Sequence, residues 1–230
     1  MIKVKICGIT SYEDAVTAID QGVDAIGFNF YHKSPRYIAP ANAREIADKL
    51  PPFLSLVGIF VNELNLDVVR SVAEMAKLTA IQLHGNESPE YCAQFQAWRL
   101  IKALRVGDNF DILHVKDFPV SAILLDHYSA DAYGGTGQLF DWRVAVAAKQ
   151  YVPNIILAGG LRPENVVSAI RTVKPYGVDV CSGVESSPGR KDRVRLQDFM
   201  TEVRRGWQEM MRSTSPRLQR FNPNETPSHQ

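Results

Sequence analysis

Short apolar runs recur along the chain at intervals of about 25–30 residues, the length of one strand–helix unit of an α/β barrel. Eight stand out: Ile2–Ile6, Ala25–Phe28, Leu54–Phe60, Ala80–Leu83, Leu100–Leu104, Ala122–Leu125, Ile155–Ala158 and Val178–Cys181. They are nearly all-apolar rather than alternating, the pattern of parallel strands covered on both faces. Helical spacing fills the intervals. Ser11 with Asp14, or Thr10 with Glu13, predicts the start of a first helix, and Gly22 its end. Ser88-Pro89 and Arg162-Pro163 each place proline at a first helical position. Phe199, Val203 and Trp207 repeat every four residues, an apolar stripe suited to docking a last helix on the sheet. Around Phe110–His114 the pattern is weak and predicts only a short helix.

Eight strands alternating with helices fit a closed (β/α)8 TIM barrel or a doubly wound open sheet. The units are short and uniform, and no insertion is large enough for a second domain, which favours the barrel. The expected organisation is a single α/β barrel domain over residues 1–212, then a polar tail over 213–230 containing Pro216, Pro223 and Pro227. A tail of that composition is expected to be disordered. A hydrophobic content of 45% over 230 residues supports a sizeable core.

Charge and cysteine usage narrow the partners. The formal net charge is +1 and no lysine or arginine block appears, so nucleic acid is not an expected partner. No apolar run reaches the roughly 18 residues of a membrane span, and Met1-Ile2-Lys3-Val4-Lys5 opens directly on a strand rather than on a signal peptide. Cys7, Cys92 and Cys181 are odd in number and far apart, which suits reduced thiols in a cytoplasmic protein rather than a disulfide framework.

A barrel places its chemistry at the C-terminal ends of the strands. Those positions read Cys7, Asn29, Asn62, His84, Arg105, Asp126, Gly159-Gly160 and Ser182-Gly183. Glycine-rich stretches cluster after the last three strands: Gly134-Gly135-Thr136-Gly137, Gly159-Gly160 and Ser182-Gly183. Turns alone explain one such pair; three in these places point to a phosphate held by backbone N–H groups and a helix N-terminus. Gly135, Gly159, Gly160, Ser182 and Gly183 are the candidate phosphate-binding residues. Cys7 has two readings, a packed thiol or a thiolate assisted by the helix start near Thr10-Ser11. Asp126 follows Ile123-Leu124-Leu125, where desolvation would suit a general acid; a loop-capping carboxylate is the alternative. Arg36, stiffened by Pro35, suits a carboxylate grip or lies on the surface. His84 contacts substrate or satisfies a loop carbonyl. No histidine set has metal-ligand spacing. Cys92 and Cys181 read as structural.

These residues carry a resemblance. Lys5-Ile6-Cys7-Gly8-Ile9-Thr10, Ser34-Pro35-Arg36-Tyr37, Gln82-Leu83-His84-Gly85, Gly134-Gly135-Thr136-Gly137, Ala158-Gly159-Gly160-Leu161 and Ser182-Gly183-Val184-Glu185 occur in the order seen in phosphoribosylanthranilate isomerases. The resemblance implies a cofactor-free, metal-free Amadori rearrangement in tryptophan biosynthesis. Its substrate would be a small phosphosugar, N-(5-phosphoribosyl)anthranilate, and its product 1-(2-carboxyphenylamino)-1-deoxyribulose 5-phosphate. It further implies Cys7 as general base, Asp126 as general acid and Arg36 on the anthranilate carboxylate, in a monomer or a homodimer. Three other readings compete: a metal-dependent pentose-phosphate epimerase, an indole-glycerol-phosphate synthase and a non-catalytic phosphosugar sensor. The first needs rim metal ligands and the second a strand-end lysine and an N-terminal extension. The third has no use for Cys7 and Asp126.

Overall fold

The computed structural model describes residues 1–127 and 141–214. Eight parallel strands close a barrel in sequential order, β1 to β8, with β8 pairing back onto β1. They are β1 Lys3–Cys7, β2 Ala25–Asn29, β3 Ser55–Phe60, β4 Ala80–Leu83, β5 Arg99–Val106, β6 Ala122–His127, β7 Ile155–Leu157 and β8 Gly177–Val180. Every expected strand is present, with ends displaced by one or two residues. The open-sheet alternative is thereby excluded.

Seven α-helices lie among the described residues: α1 Tyr12–Asp20, α2 Pro40–Ala47, α3 Leu66–Met75, α4 Pro89–Cys92, α5 Trp142–Ala148, α6 Pro163–Val173 and α7 Arg193–Thr214. The Ser11 side chain accepts from Asp14 N–H at the start of α1, and Pro89 and Pro163 open α4 and α6. Between β5 and β6 the weakly patterned segment forms only a 3₁₀ turn, Ile112–Asp117. Phe199 and Val203 of α7 are buried and Trp207 packs against the same core. α7 runs to Thr214, and the expected tail beyond it lies outside the described residues. No helix among the described residues is long and apolar enough to cross a membrane.

Alternation along each strand sorts side chains between two cores. Val4, Ile6, Ile81, Leu83, Ile123 and Leu125 join the larger core beneath the helices. Val57, Ala80, Ile101, Ala103, Ala122, Leu124, Ile156 and Ala158 fill the barrel interior. The second parity also carries Lys5 and Cys7 on β1, Gln82 on β4 with His84 just beyond it, and Asp179 on β8 with Cys181 just beyond it. Asp126 follows Leu124 on β6. The polar members of this inward set accumulate at the C-terminal mouth because the strands end there.

Buried charges fix two parts of the frame. Lys5 and Asp179 are register partners and pair at 2.9 Å inside the barrel. Lys102 Nζ donates to Glu87 Oε2 and Gly85 O, both at 2.8 Å, and to Ala103 O at 3.0 Å. Glu87 accepts in turn from Asn62 N–H and Gly85 N–H. This buried ammonium therefore ties the loops after β3 and β4 together and steadies the strand end that carries His84. After β8 the chain forms a small antiparallel ribbon, β9 Glu185–Ser187 with β10 Arg190–Lys191, which folds over the mouth.

Candidate active site

A cleft open to solvent occupies the C-terminal mouth, with about 730 Å³ of empty space extending out into the solvent. Cys7, Asn29, Arg36, His84, Asp126, Gly159, Gly160 and Ser182 all line it. The barrel thus gathers most of the strand-end residues read from the sequence. Two are turned to other work: Asn62 Oδ1 accepts from Asn86 N–H at 2.6 Å, and Arg105 Nη2 donates to Asn86 Oδ1 at 2.6 Å. Gly135 and its neighbours lie outside the described residues.

Cys7 stands where β1 ends, and its pKa is held well below the ordinary thiol value. A hydrogen bond from the Cys181 thiol is the largest cause. Burial opposes it, and the positive charges of Lys5 and Lys191 add to it. Cys181 is pushed correspondingly upward by the same bond and by burial. The sequence reading offered the helix start near Thr10-Ser11 as electropositive help; the groups that lower the Cys7 pKa are Cys181, Lys5, Lys191 and His84. The Ser11 side chain is taken up capping Asp14, and Thr10 Oγ1 donates to Gly189 O. Cys181, expected to be structural, lines the cleft beside Cys7.

Lys191, Glu185 and Arg36 form a charged brace over that thiol pair. Lys191 Nζ lies 2.5 Å from Cys7 O and 2.8 Å from Glu185 Oε1. Glu185 Oε2 accepts from Arg36 Nη2 at 2.7 Å, and Arg36 Nε donates to both carboxylate oxygens. Burial is the largest single effect and disfavours charge on Arg36 and on Glu185, but their mutual hydrogen bonds together with the neighbouring charges, Lys191 among them for Glu185, outweigh it, raising the first pKa and lowering the second. Asp179, deeper in the barrel, is raised to about 6 by burial, with Lys5 opposing the rise. Sequence reading of the site missed Asp179 and Lys5. The available signal was Asp179, a lone charge inside the Val178–Cys181 run, and Lys5, which shares the parity of Cys7 in the Ile2–Ile6 run.

On the other side of the mouth, Asp126 is almost fully buried. Its Oδ1 accepts from His127 N–H at 2.8 Å, and its Oδ2 lies 3.2 Å from His84 Nε2. Gln82, wholly buried, holds His84 Nδ1 at 2.9 Å and so fixes the ring's direction. Round the barrel, β7 and β8 separate Asp126 from Cys7 on one side and β2 to β5 on the other. A small molecule seated in the cleft therefore meets Asp126 from one direction and Cys7 from another.

The glycines form a third wall. Gly159 and Gly160 have φ of +76° and +67°, a region that side chains other than glycine rarely adopt. A Cβ on Gly183 would stand 2.0 Å from Leu161 O, so the loops after β7 and β8 approach as only glycine permits. Ser182 and Gly160 border both the main cleft and an adjoining recess lined by Arg162, Gly183 and Arg195 at the N-terminus of α6. Exposed backbone N–H groups beside a helix N-terminus favour an anion.

Comparison with known proteins identifies a family. Residues 4–202 match the family model described as N-(5'phosphoribosyl)anthranilate (PRA) isomerase. An N-(5'-phosphoribosyl)anthranilate isomerase of Geotalea uraniireducens is 52% identical over 204 residues, covering 89% of this chain and 99% of that protein. The crystal structure of phosphoribosyl anthranilate isomerase from Thermotoga maritima superposes with a TM-score of 0.82 at 42% identity, covering 89% and 99% of the two chains. A phosphoribosyl anthranilate isomerase in complex with reduced 1-(o-carboxyphenylamino)-1-deoxyribulose 5-phosphate matches with a TM-score of 0.79, also at 42% identity and with the same coverage.

Proposed function

The chain belongs to the N-(5'-phosphoribosyl)anthranilate isomerase family, and from that membership we propose that Cys7 is the general base and Asp126 the general acid of the isomerisation. The chain is an isomerase of tryptophan biosynthesis; the roles of its residues are the proposal. The observation that supports them is the placement of a stabilised thiolate and a buried carboxyl group on opposed strands of one cleft.

In this reading the substrate's phosphate lies against Gly159, Gly160, Ser182 and Gly183, near the α6 N-terminus. Asp126 gives its proton to the furanose ring oxygen; the C1–O bond breaks and the anilino nitrogen's lone pair forms a protonated imine. The imine acidifies C2–H, and the Cys7 thiolate removes that proton. The resulting enolamine tautomerises to the aminoketose. No electrons leave the molecule, so no redox partner enters. Holding the two groups on rigid strand ends spares the entropy of assembling them, worth several kcal/mol in well-aligned cases.

Arg36 faces the anthranilate carboxylate in this account, with one amendment. Its Nε–Nη2 edge is engaged by Glu185, so the Nη1 side is the one offered to substrate. Glu185 then sets the direction of the guanidinium. The setting we infer is cytoplasmic, in keeping with three free thiols.

The test is loss of anthranilate-substrate fluorescence with freshly prepared N-(5-phosphoribosyl)anthranilate. Turnover by the wild-type chain, and its loss by at least about 10²-fold in Cys7→Ser and Asp126→Asn with the fold intact, is the expected result. Either variant at near wild-type rate removes that residue from its assigned role.

A further inference from the structure

Cys7 ends β1, and Cys181 directly follows β8, the neighbouring strand. Ile6 and Val180 are the last register partners of the β1–β8 pair, and the two cysteines that follow them share a side-chain hydrogen bond. Adjacent strands lie about 4.8 Å apart, within the Cα separations of roughly 4.4–6.8 Å that a disulfide spans. Both residues are partly exposed, and both line the open cleft. Register and common parity therefore bring the second thiol to the first at a place that a small oxidant reaches.

We propose that Cys7 and Cys181 form a peroxide-sensitive modification site, in which a hydroperoxide converts the pair to a reversible disulfide that switches the enzyme off. The Cys7 thiolate attacks one oxygen of the peroxide; the O–O bond breaks, hydroxide departs and Cys7 becomes a sulfenic acid. Cys181 sulfur then attacks the Cys7 sulfur. The S–S bond forms, the S–O bond breaks, and the sulfenic oxygen leaves as water with the Cys181 proton. Two thiols lose two electrons and the peroxide becomes two waters.

The chemistry selects this pair over the third cysteine. Thiolate character and exposure set susceptibility, and Cys7 is the lowered thiol of the chain. Cys92 lies on α4, 1% exposed, and burial pushes it up to about 11. A resolving thiol beside the reactive one diverts the sulfenic acid before further, irreversible oxidation. In a reducing cytoplasm such a bond is transient, as regulatory disulfides there are.

The bond itself does not depend on the proposed base role; its effect on activity does. The experiment treats the full chain with stoichiometric hydrogen peroxide, blocks free thiols with iodoacetamide and maps peptides without reduction. The expected result is a Cys7–Cys181 cross-linked peptide, Cys92 alkylated, activity down by at least about 10²-fold, and recovery with dithiothreitol. Cys181→Ala should be inactivated by peroxide without recovery, each sample being compared with its own untreated control. Cys92→Ala should behave as the wild type. Cys7 and Cys181 in separate peptides, or wild-type activity that dithiothreitol does not restore, would overturn the proposal. A cross-link with full activity would uphold the site and remove Cys7 from its role as base.

Discussion

Arg36 and Glu185 lock together across the barrel mouth, with Nη2 to Oε2 at 2.7 Å and Nε to both carboxylate oxygens at 3.0 and 3.1 Å. The pair joins the loop after β2 to the ribbon after β8. A lysine has no fork to replace this geometry. Arg36→Lys should therefore lower kcat/KM at least about tenfold, the loss of one charged hydrogen bond of roughly 1.5–3 kcal/mol. Glu185→Gln should raise KM more than it lowers kcat, because it frees the guanidinium without removing it. Wild-type constants in both variants would show that the brace is unrelated to substrate binding.

Stability should depend strongly on Lys102, which is 1% exposed. Lys102→Met leaves the Glu87 carboxylate buried without its cation, at a cost of about 3–5 kcal/mol. Urea unfolding monitored by circular dichroism reads this as a lower midpoint at unchanged slope. A loss under about 1 kcal/mol, the range of an exposed pair, would contradict the buried reading.

The phosphate wall is tested at Gly160, whose φ of +67° disfavours any side chain. Gly160→Val should raise KM at least about tenfold and weaken competitive inhibition by inorganic phosphate in step, since both use the same backbone N–H groups. A raised KM with unchanged phosphate inhibition would place the phosphate elsewhere.

The barrel was legible in the sequence because its strands are fully buried runs, and burial on both faces leaves an all-apolar signature from Ala80–Leu83 to Ile155–Leu157. Cys7, His84 and Asp126 were legible for the related reason that a polar residue terminating such a run lies at a strand mouth. Lys5 and Asp179 were not, because their meaning depends on β8 closing against β1, which no local pattern records. The link from Cys181 to Cys7 rests on that same closure. Glu185 and Lys191 reach Arg36 and Cys7 only through the fold of the β9–β10 ribbon. Asn62 and Arg105 sit at strand ends yet serve the neighbouring loop, so position on the rim alone does not assign a role.

The pH dependence follows from the thiol pair. A general base acts when deprotonated, so kcat/KM rises as pH passes upward through the Cys7 pKa. That pKa is held well below 9.0, chiefly by Cys181, which places the rise at lower pH than for an ordinary thiol. Cys181→Ala removes the donor and should shift the acidic limb to higher pH. The deficit should be largest at low pH and close above about pH 9, where an ordinary thiol is ionised. An unmoved limb would mean that Cys181 does not support the thiolate.

The most direct measurement is the kcat of Cys7→Ser on freshly prepared N-(5-phosphoribosyl)anthranilate. Serine keeps the shape and its hydroxyl hardly ionises near neutral pH, so the base is removed while the cleft stays. The account predicts a fall in kcat of at least about 10²-fold with phosphate inhibition and thermal stability near wild type. A Cys7→Ser enzyme that keeps most of its kcat would contradict it, leaving Cys7 a packed thiol and the base to be found among the other residues of the mouth.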